Sequence, residues 1–361
     1  MKKKEVTIYD LAKELNYSPS TISRALNNHR SIGKKTTREI QKAADLLGYR
    51  PNSLAASLRS NKSKTIGILI ARINSPFMST LISGIEDTAR KANYNVLISQ
   101  SNESYENEVR NAKALYDSRV GGLIVSLAMK TRNTDHFKQF TDKGIPVVFV
   151  DRVPQVFNSY RVIIDNYAAG FKAAKHLIDQ GCRRIAYFTG SKYINVYSLR
   201  LQGYKDALEQ NGLQIYDENV ISLETLSMEE GMAATEKLLT SPHAPDGVCS
   251  ANDAAAVGAI LCAKKFGVKV PDELAVIGFN DDPVASIVEP ALSTVSHPAR
   301  KMGELSTQRI LEHSSAGLDS GISEITMLDT EIIVRDSSRK NSKSESAGEP
   351  EQEFKTEHSQ S

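Results

Sequence analysis

From Thr65 onward the sequence alternates short apolar runs with longer amphipathic segments, and this alternation restricts the possible folds more than any other feature. The runs are six to eight residues long and rich in β-branched side chains, which is typical of strands buried on both faces. The segments between them repeat apolar residues at helical spacing. Strands that alternate with helices form parallel sheets covered by helices on both faces. The sequence therefore predicts an α/β fold of doubly wound parallel sheets.

These runs form two series, which predict two doubly wound lobes with a cleft between them. The predicted strands are residues 65–71, 94–99, 120–126 and 145–151 in the first series and 183–190, 246–251 and 274–279 in the second. The predicted helices are residues 77–92, 104–118, 134–143, 167–181, 198–212, 229–240 and 253–267. Ligands bind such sheets at the carboxyl ends of the strands. The loops that follow the strands are therefore the candidate ligand site.

The stretch TIYDLAKELNYSPSTISRALN, residues 7–27, predicts two short helices joined by a tight turn. Thr7 caps the first helix, Asn16 permits a left-handed turn, and Ser18 caps a second helix that begins at Pro19. The outer face of the second helix carries Ser20, Thr21, Ser23, Arg24 and Asn27. Small hydroxyls, an arginine and an amide on one helix are suited to reading the major groove of DNA. A helical hairpin without this function is the alternative.

A third helix is expected at residues 34–47, with Ile40, Ala43, Ala44 and Leu47 on one apolar face and Gly48 as its C-cap. Asn52 then caps a short helix that ends at Leu58, and a polar linker follows. A helix of two turns is marginal by itself, so we expect it to order when it binds a partner. The predicted headpiece spans residues 1–50, and the hinge helix and linker span residues 51–64.

Charge separates this N-terminal part from the rest of the chain. Residues 1–64 hold 14 Lys and Arg against 5 Asp and Glu, whereas residues 65–361 hold 31 against 38. A basic module on an acidic body is the electrostatic pattern of a nucleic-acid-binding protein, because phosphates are neutralised by Lys and Arg.

Other features exclude several classes of protein. The cysteines Cys182, Cys249 and Cys262 show no pairing or metal-ligand spacing, and no run is long enough to span a membrane. We therefore expect a cytoplasmic protein. No nucleotide-binding, nucleophile-elbow or metalloprotease motif is present, so no catalytic residue, metal or cofactor is expected.

Residues 337–361 lack large aliphatic side chains and are predicted to be disordered.

Several motifs together resemble the LacI family of bacterial transcription regulators, from about Val6 to Arg335. They are the helix-turn-helix stretch above, LGYRPNSLAASL, the segment from Ile164 to Gly170, RLQGY, ANDAAAVGA, VIGFND and LSTVSHP. The resemblance implies a helical DNA-binding headpiece, a hinge helix and a core similar to periplasmic sugar-binding proteins, spanning residues 65–336. It also implies homodimers that bind pseudo-palindromic double-stranded DNA operators.

In this family the chain crosses between the lobes three times. The resemblance places these crossings near Arg161, near Pro290 and at residues 325–329. Lobe 1 would then comprise residues 65–161 and 291–325, and lobe 2 residues 162–290 and 326–336. The family's tetramers use a leucine-rich C-terminal helix, which residues 337–361 lack, so a dimer is expected.

The resemblance also implies which residues contact DNA. They are Thr7, Ser18, Pro19, Ser20, Thr21, Ser23, Arg24, Asn27, Asn52, Ala55 and Leu58. Pro19 and Ser20 occupy the positions that most determine the operator sequence. Arg24 would grip a guanine edge or, alternatively, clamp a phosphate. Leu58 would wedge into the minor groove, although it could instead belong to the headpiece core.

The implied effector site lies in the loops after the strands and, for Arg200, at the start of a helix in the second lobe. Its residues are Ser75, Phe77, Asp151, Arg152, Arg200, Asn252, Asp253 and Asn280. Many relatives carry aspartate at the position of Asn280 and glutamine at that of His297. Asp253 could instead cap its helix, and Phe77 could pack at the hinge between the lobes.

These features predict a repressor whose operator binding is controlled by a small-molecule effector, and a sugar is the expected class. A nucleobase or a sugar phosphate is the alternative effector. A solute-binding receptor without a regulatory role would share the two-lobed core, but it has no use for a basic headpiece. Polar residues in the cleft do not by themselves require an enzyme.

Overall fold

The computed structural model describes residues 6–49, 63–155, 157–316 and 323–340. Contacts divide the chain into two units, Met1–Lys64 and Thr65–Ser361. Among the described residues, no helix is long and apolar enough to cross a membrane. The predicted hinge helix, with Asn52, Ala55 and Leu58, lies outside the described residues.

Within its described residues, 6–49 and 63–64, the first unit contains three helices: α1 (Ile8–Leu15), α2 (Pro19–Leu26) and α3 (Lys34–Leu47). Thr7 caps α1 in a capping box with Asp10, and Asn16 follows α1 in a left-handed conformation. The Ser18 hydroxyl accepts a hydrogen bond from the backbone N–H of Thr21 at the start of α2. These local predictions are confirmed, as is the left-handed C-cap at Gly48.

One small core joins the three helices. Leu11 of α1, Ile22 of α2 and Ile40 of α3 are fully buried at its centre. The prediction that Leu47 lies on the buried face of α3 is wrong, because Leu47 is 42% exposed. The turn from Gly48 to Tyr49 directs Tyr49 onto this core instead.

The second unit is built on two six-stranded sheets. The sheet of lobe 1 has the order β11-β5-β4-β3-β1-β2, and that of lobe 2 has the order β12-β10-β9-β8-β6-β7. All strand pairs are parallel except β10 with β12. The strands are β1 (Thr65–Ile70), β2 (Asn95–Gln100), β3 (Gly122–Val125), β4 (Val147–Val150), β5 (Tyr160–Ile164), β6 (Ile185–Thr189), β7 (Val220–Ser222), β8 (Gly247–Ser250), β9 (Ala275–Asn280), β10 (Ser293–Ser296), β11 (Glu324–Leu328) and β12 (Ile332–Ile333).

Helices cover these sheets. They are α4 (Pro76–Lys91), α5 (Tyr105–Asp117), α6 (Lys138–Thr141), α7 (Asn166–Asp179), α8 (Asn195–Gln210), α9 (Met228–Leu239), α10 (Asp253–Lys265), α11 (Val284–Ile287) and α12 (Ala299–Ala316). The helix predicted at residues 134–143 is instead a 3₁₀ turn, Asp135–Phe137, followed by the short α6. Helix α8 begins three residues before its predicted start, so Arg200 lies in its second turn.

The strand pairing corrects the predicted crossings between the lobes. Strand β5 pairs with β4 and β11 in lobe 1, so the first crossing follows Ile164 rather than Arg161. Strand β10 pairs with β9 in lobe 2, which moves the second crossing from Pro290 to His297 and Pro298. Strand β11 belongs wholly to lobe 1, and the third crossing follows it. These strands pair with distant segments, and a local apolar pattern does not identify the partner.

The predicted start of the disordered tail, at residue 337, is too early in the sequence, because the ordered chain continues past it. The backbone N–H of Ser293 donates to the Ser337 hydroxyl, which in turn donates to the carbonyl of Val276. Ser337 and Ser338 are both fully buried against lobe 2. The prediction was therefore wrong for residues 337–340, because two small hydroxyl side chains bury well when they are hydrogen-bonded. Residues 341–361 lie outside the described part of the chain.

Glycines allow helices to cross closely at three places. A Cβ on Gly170 of α7 would lie 2.2 Å from the carbonyl oxygen of Arg200 in α8. A Cβ on Gly203 of α8 would lie 2.1 Å from the carbonyl oxygen of Tyr167 in α7. Gly231 with Gly258, and Gly84 with Gly303, form similar reciprocal pairs. Backbone therefore packs on backbone at these crossings, and the α7–α8 crossing holds the main chain of Arg200.

Replacing Gly203 with alanine should destabilise lobe 2, because the new methyl group meets backbone that no side-chain rotation can relieve. We expect a loss of about 1–3 kcal/mol in the free energy of unfolding, although alanine itself favours a helix by about 1 kcal/mol. Urea denaturation followed by circular dichroism measures this loss. Glu209→Ala, at an exposed position of the same helix, is the matched control. Equal stability of the two variants would contradict the close crossing.

Candidate functional site: a polar cleft and a helix-turn-helix face

The carboxyl ends of the parallel strands in the two lobes border a cleft that side chains cross at one end. The guanidinium Nη2 of Arg152, after β4, donates to the hydroxyl of Tyr197 in α8 at 3.0 Å. The backbone N–H of Val153 donates to Oδ1 of Asn195 at 3.1 Å. Both contacts join lobe 1 to the start of α8 in lobe 2, and they bring Arg152 close to the site predicted around Arg200.

Arg200 is held rigidly inside the cleft. Its Nε donates to Oδ1 of Asn166 at 2.8 Å, and its Nη1 donates to the carbonyl of Ala251 at 3.1 Å. The guanidinium carbon lies 3.5 Å from the ring centroid of Phe279, which is a cation–π contact. Arg200 is 3% exposed, and none of these partners is a carboxylate. Its positive charge is therefore available to a ligand.

Lobe 1 contributes two carboxylates to this end of the cleft: Glu103 contacts Arg152, and Asp151 interacts with the charge of Arg200. Glu103 forms an ion pair with Arg152 at 2.9 Å and also accepts the backbone N–H of Met129. Asp151 is buried, and burial raises the pKa of its carboxyl, although Arg152 and Arg200 oppose the rise. Glu103, Asp151 and Asn280 all have positive φ angles, a backbone conformation that is strained in non-glycine residues. Such strain often clusters at binding sites.

The second crossing between the lobes supplies an imidazole to the cleft. The ring of His297 stacks on Phe77, with centroids 4.1 Å apart, and contacts the ring of Phe279 edge-on. Its Nδ1 lies 3.2 Å from Oδ1 of Asn280. A cavity of about 280 Å³ is lined by Phe77, Asn280 and His297, together with residues at the starts of α4 and α12. Phe77 therefore packs at the hinge while it also borders this cavity.

Three buried polar atoms at this cleft have no hydrogen-bond partner among the described residues. They are Oγ of Ser126, Oγ1 of Thr189 and Nε2 of His297. Ser126 directly follows β3, and Thr189 is the last residue of β6, so both lie at carboxyl ends of strands. Buried polar atoms are rarely left unpaired, because their desolvation is costly. A polar ligand would supply the missing partners.

Not every predicted effector residue faces this cluster. Asn252 caps α10 through its Oδ1 and donates through Nδ2 to the carbonyl of Leu226. Asp253 is not the cap; its buried carboxylate accepts from the Thr294 hydroxyl and from the backbone N–H of Asp282. Ser75 is half-buried ahead of α4 and makes no side-chain capping bond. The predicted residues that the structure brings together are Phe77, Asp151, Arg152, Arg200 and Asn280.

Burial raises the pKa of Asp253 to about 7, even though the Thr294 hydroxyl and the Asp282 N–H lower it. The folded protein therefore binds a proton that the unfolded chain releases near pH 4. The free energy of unfolding should fall as pH rises from 5 to 8, and Asp253→Asn should weaken that fall. Urea denaturation across this range measures the slope. Asp272→Asn, an exposed change in lobe 2, should keep the wild-type slope, and equal slopes in both variants would contradict this assignment.

The headpiece presents the predicted recognition face to solvent. The Ser18 hydroxyl lies 2.8 Å from the hydroxyls of both Ser20 and Thr21. Arg24 and Asn27 are exposed, Pro19 and Ser23 are half-buried, and the Asn27 amide donates to the carbonyl of Ser23. Within the described residues, the guanidinium of Arg24 makes no hydrogen bond or ion pair. The hydroxyl of Thr7 is bound to Asp10 instead.

The sequence did not indicate Glu103, Ser126, Thr189 or Tyr197 as cleft residues, and His297 was noted only because relatives carry glutamine at its position. Ser126 and Thr189 stand where strands end, so the rule that ligands bind at the carboxyl ends of strands could have found them. Tyr197 lies within a helix, and His297 lies at a crossing whose position was misplaced. Only the tertiary structure brings these two residues to the cleft.

A two-lobed core with a polar cleft, on the same chain as a basic helix-turn-helix unit, defines a DNA-binding regulator that responds to a ligand. Residues 7–52 match the family described as bacterial regulatory proteins, lacI family, and residues 174–338 match a periplasmic binding protein-like domain. The chain belongs to the LacI family of transcriptional regulators.

Relatives match over almost the whole chain. Catabolite control protein A of Priestia megaterium is 30% identical over 323 residues, which are 89% of this chain and 96% of that protein. The ribose operon repressor of Halalkalibacterium halodurans is 30% identical over 342 residues, 94% of this chain and 99% of that protein. The lac repressor dimer bound to operator and the anti-inducer ONPF is 24% identical, with a TM-score of 0.81 over 93% of this chain and 99% of its own chain.

Proposed function

We propose that this protein is a repressor that binds a pseudo-palindromic operator as a homodimer and is controlled by a sugar bound between its lobes. The three unpaired polar atoms of Ser126, Thr189 and His297 carry the effector part of the proposal. Arg200 and Asp151 add a donor and an acceptor at the same cleft. A polyhydroxylated ligand of small size would satisfy all of these groups.

Relatives support the sugar assignment. One relative is a ribose operon repressor, and the chain matches it over nearly its full length. The lac repressor, which shares this fold, was solved with operator and an anti-inducer. The residues proposed to read DNA are Ser18, Pro19, Ser20, Thr21, Ser23, Arg24 and Asn27, on or next to α2.

An exposed apolar edge supports the dimer. Strand β2 lies at the edge of the lobe 1 sheet, where Leu97 is 39% exposed and Ile98 is 37% exposed. Unpaired sheet edges with apolar side chains favour association with another chain. In lobe 2, Ile287 of α11 is 78% exposed. A second copy of this chain would cover both regions.

Operator binding by the purified full-length protein tests the proposal. Labelled DNA fragments from upstream of its own and adjacent genes are titrated, and D-ribose, D-galactose and cellobiose are then added separately. We expect sequence-specific binding whose affinity one of these sugars changes at least tenfold. Binding that responds only to a nucleobase or a sugar phosphate would contradict the sugar. Binding that ignores sequence and depends only on salt would contradict the regulator itself.

A further inference from the structure

Met129 lies in the segment that follows β3 of lobe 1, but its side chain packs with lobe 2. It is buried in an apolar cluster whose other members, among them Phe188, Ile194 and Leu223, belong to lobe 2. Phe188 is in β6, Ile194 lies between β6 and α8, and Leu223 follows β7. Burial of a methionine removes apolar surface from water and stabilises the contact. Met129 therefore fastens lobe 1 to lobe 2.

A second contact of the same segment lies at the rim of the cleft. The guanidinium carbon of Arg132 is 4.3 Å from the ring centroid of Tyr193, which lies between β6 and α8 of lobe 2. Nη1 of Arg132 donates to the carbonyls of Met129 and Thr131, at 3.2 and 3.0 Å, so the guanidinium is fixed to its own segment. Tyr193 is 62% exposed. This cation–π contact is therefore in water and contributes less than the burial of Met129.

Two carboxylates of lobe 1 hold the segment in shape. Glu108 of α5 is fully buried and accepts hydrogen bonds from the backbone N–H of Ala128 at 2.7 Å and from the hydroxyl of Thr131 at 2.9 Å. Glu103 accepts the backbone N–H of Met129 at 2.7 Å. The backbone around Met129 is therefore bound to lobe 1, and the segment must move with lobe 1 when the lobes separate.

The closed lobes exclude solvent from the polar groups of the cleft. The buried groups are Ser126, Asp151, Thr189 and Arg200. A ligand as large as a sugar cannot reach side chains that are almost completely excluded from solvent, so the lobes must separate before it enters. Separation must withdraw Met129 from the apolar cluster of lobe 2 and part Arg132 from Tyr193.

We propose that residues 127–133 form a latch that holds the lobes closed and controls how fast an effector enters and leaves the cleft. Met129 contributes most of the stabilisation, and the contact between Arg132 and Tyr193 adds a smaller part. Because the latch joins protein to protein, it stabilises the closed lobes equally with and without an effector. It therefore changes the rates of entry and exit and leaves the equilibrium affinity nearly unchanged. The latch is a property of the core, and its effect on an effector rests on the proposed function.

Hydrogen–deuterium exchange of the full-length protein, followed by mass spectrometry, tests the latch without any effector. The backbone N–H of Val153 donates to Oδ1 of Asn195 across the cleft, so exchange of this amide reports separation of the lobes. In Met129→Ala we expect exchange at Val153 to be at least about tenfold faster, since truncation of a buried methionine shifts such an equilibrium by that factor or more. The amides of β1 and β9, inside the two sheets, should keep their wild-type rates.

Met327→Ala is the matched control for this experiment. Met327 lies in β11 of lobe 1 and is 56% exposed, so its truncation should leave every exchange rate unchanged. Unchanged exchange at Val153 in Met129→Ala would overturn the latch. Equal acceleration at Val153, β1 and β9 would overturn it as well, because Met129 would then be part of a core that unfolds as a whole.

Two substitutions of Tyr193 test the contact at the rim. Tyr193→Phe keeps the aromatic ring that Arg132 covers, so exchange at Val153 should stay close to wild type. Tyr193→Ala removes the ring, and exchange should be about 2–5-fold faster, as expected for an exposed cation–π contact. Equal rates in the two variants would overturn the part assigned to Arg132 and Tyr193.

Stopped-flow tyrosine fluorescence tests the control of effector entry, with whichever of D-ribose, D-galactose and cellobiose changes operator binding. In Met129→Ala the association and dissociation rate constants should both rise by at least about tenfold, while Kd stays close to wild type. A Kd that changes through dissociation alone would show that Met129 contacts the sugar, and it would overturn the kinetic role. If no sugar regulates operator binding while exchange at Val153 responds as expected, the proposed sugar effector fails and the latch stands.

Discussion

Replacing Arg200 with alanine should abolish the response of operator binding to the sugar while basal DNA binding remains. The guanidinium is held by Asn166, the carbonyl of Ala251 and the ring of Phe279, which leaves its remaining N–H groups for the effector. Each hydrogen bond to a charged group contributes about 1.5–3 kcal/mol, so losing one weakens binding by about 10-fold or more. Fluorescence anisotropy of labelled operator, with and without the sugar, measures the response.

Two further variants separate this effect from unfolding. Arg200 is buried, so the alanine variant must show a cooperative thermal transition before its response is interpreted. Arg200→Lys keeps a positive charge but cannot reproduce the forked geometry, and we expect a weakened response with a fold close to wild type. Arg184→Ala, at the opposite end of β6, should respond normally. A folded Arg200→Ala protein with a wild-type response would show that the cleft is not the effector site.

Replacing Arg24 with alanine should weaken specific operator binding by about 1–3 kcal/mol, or roughly 5-fold to 150-fold, and relax the preference at one base pair. The side chain is exposed on α2, ready to form a two-pronged contact with guanine. Anisotropy titrations against a set of single-base operator variants measure both the affinity and the preference.

Arg24→Lys distinguishes the two ways in which Arg24 can contact DNA. Lysine preserves a phosphate contact, but it lacks the planar fork that grips guanine. If Arg24 reads a base, the lysine variant should resemble alanine in its lost base preference. If it clamps phosphate, lysine should behave like wild type, and alanine should weaken all sequences equally and reduce the salt dependence. An alanine variant with unchanged operator affinity would exclude both contacts.

The headpiece was the part most accessible to sequence reasoning. Its helix caps at Thr7, Ser18 and Gly48 depend on hydrogen bonds within three or four residues, so a local motif carries the necessary information. The exposure of Leu47 was missed. Whether the last turn of a helix is buried depends on what packs against it, and Tyr49 occupies that place here.

In the core, seven strands were predicted, and β5, β7, β10, β11 and β12 were not. Strands such as β1 and β9 are apolar on both faces, and that composition is visible in a short window. By contrast, β5 alternates buried and half-buried residues, and β11 is partly exposed. Helix α12 was also missed, although it packs on α4 through Gly84 and Gly303. These elements are stabilised by distant partners, and a local pattern identifies none of them.

The sequence alone determined the class of protein, because helix caps, strand composition and the basic N-terminal charge are local properties of the chain. It also indicated Asp151 and Asn280, which follow predicted strands, and the resemblance to the LacI family indicated Arg200 at the start of a predicted helix. Only the tertiary structure decided where the chain changes lobe, and hence that His297 enters the cleft between Phe77 and Asn280. The physical reason is that strand pairing and side-chain packing join residues far apart in sequence, and their energies depend on geometry that no local pattern contains.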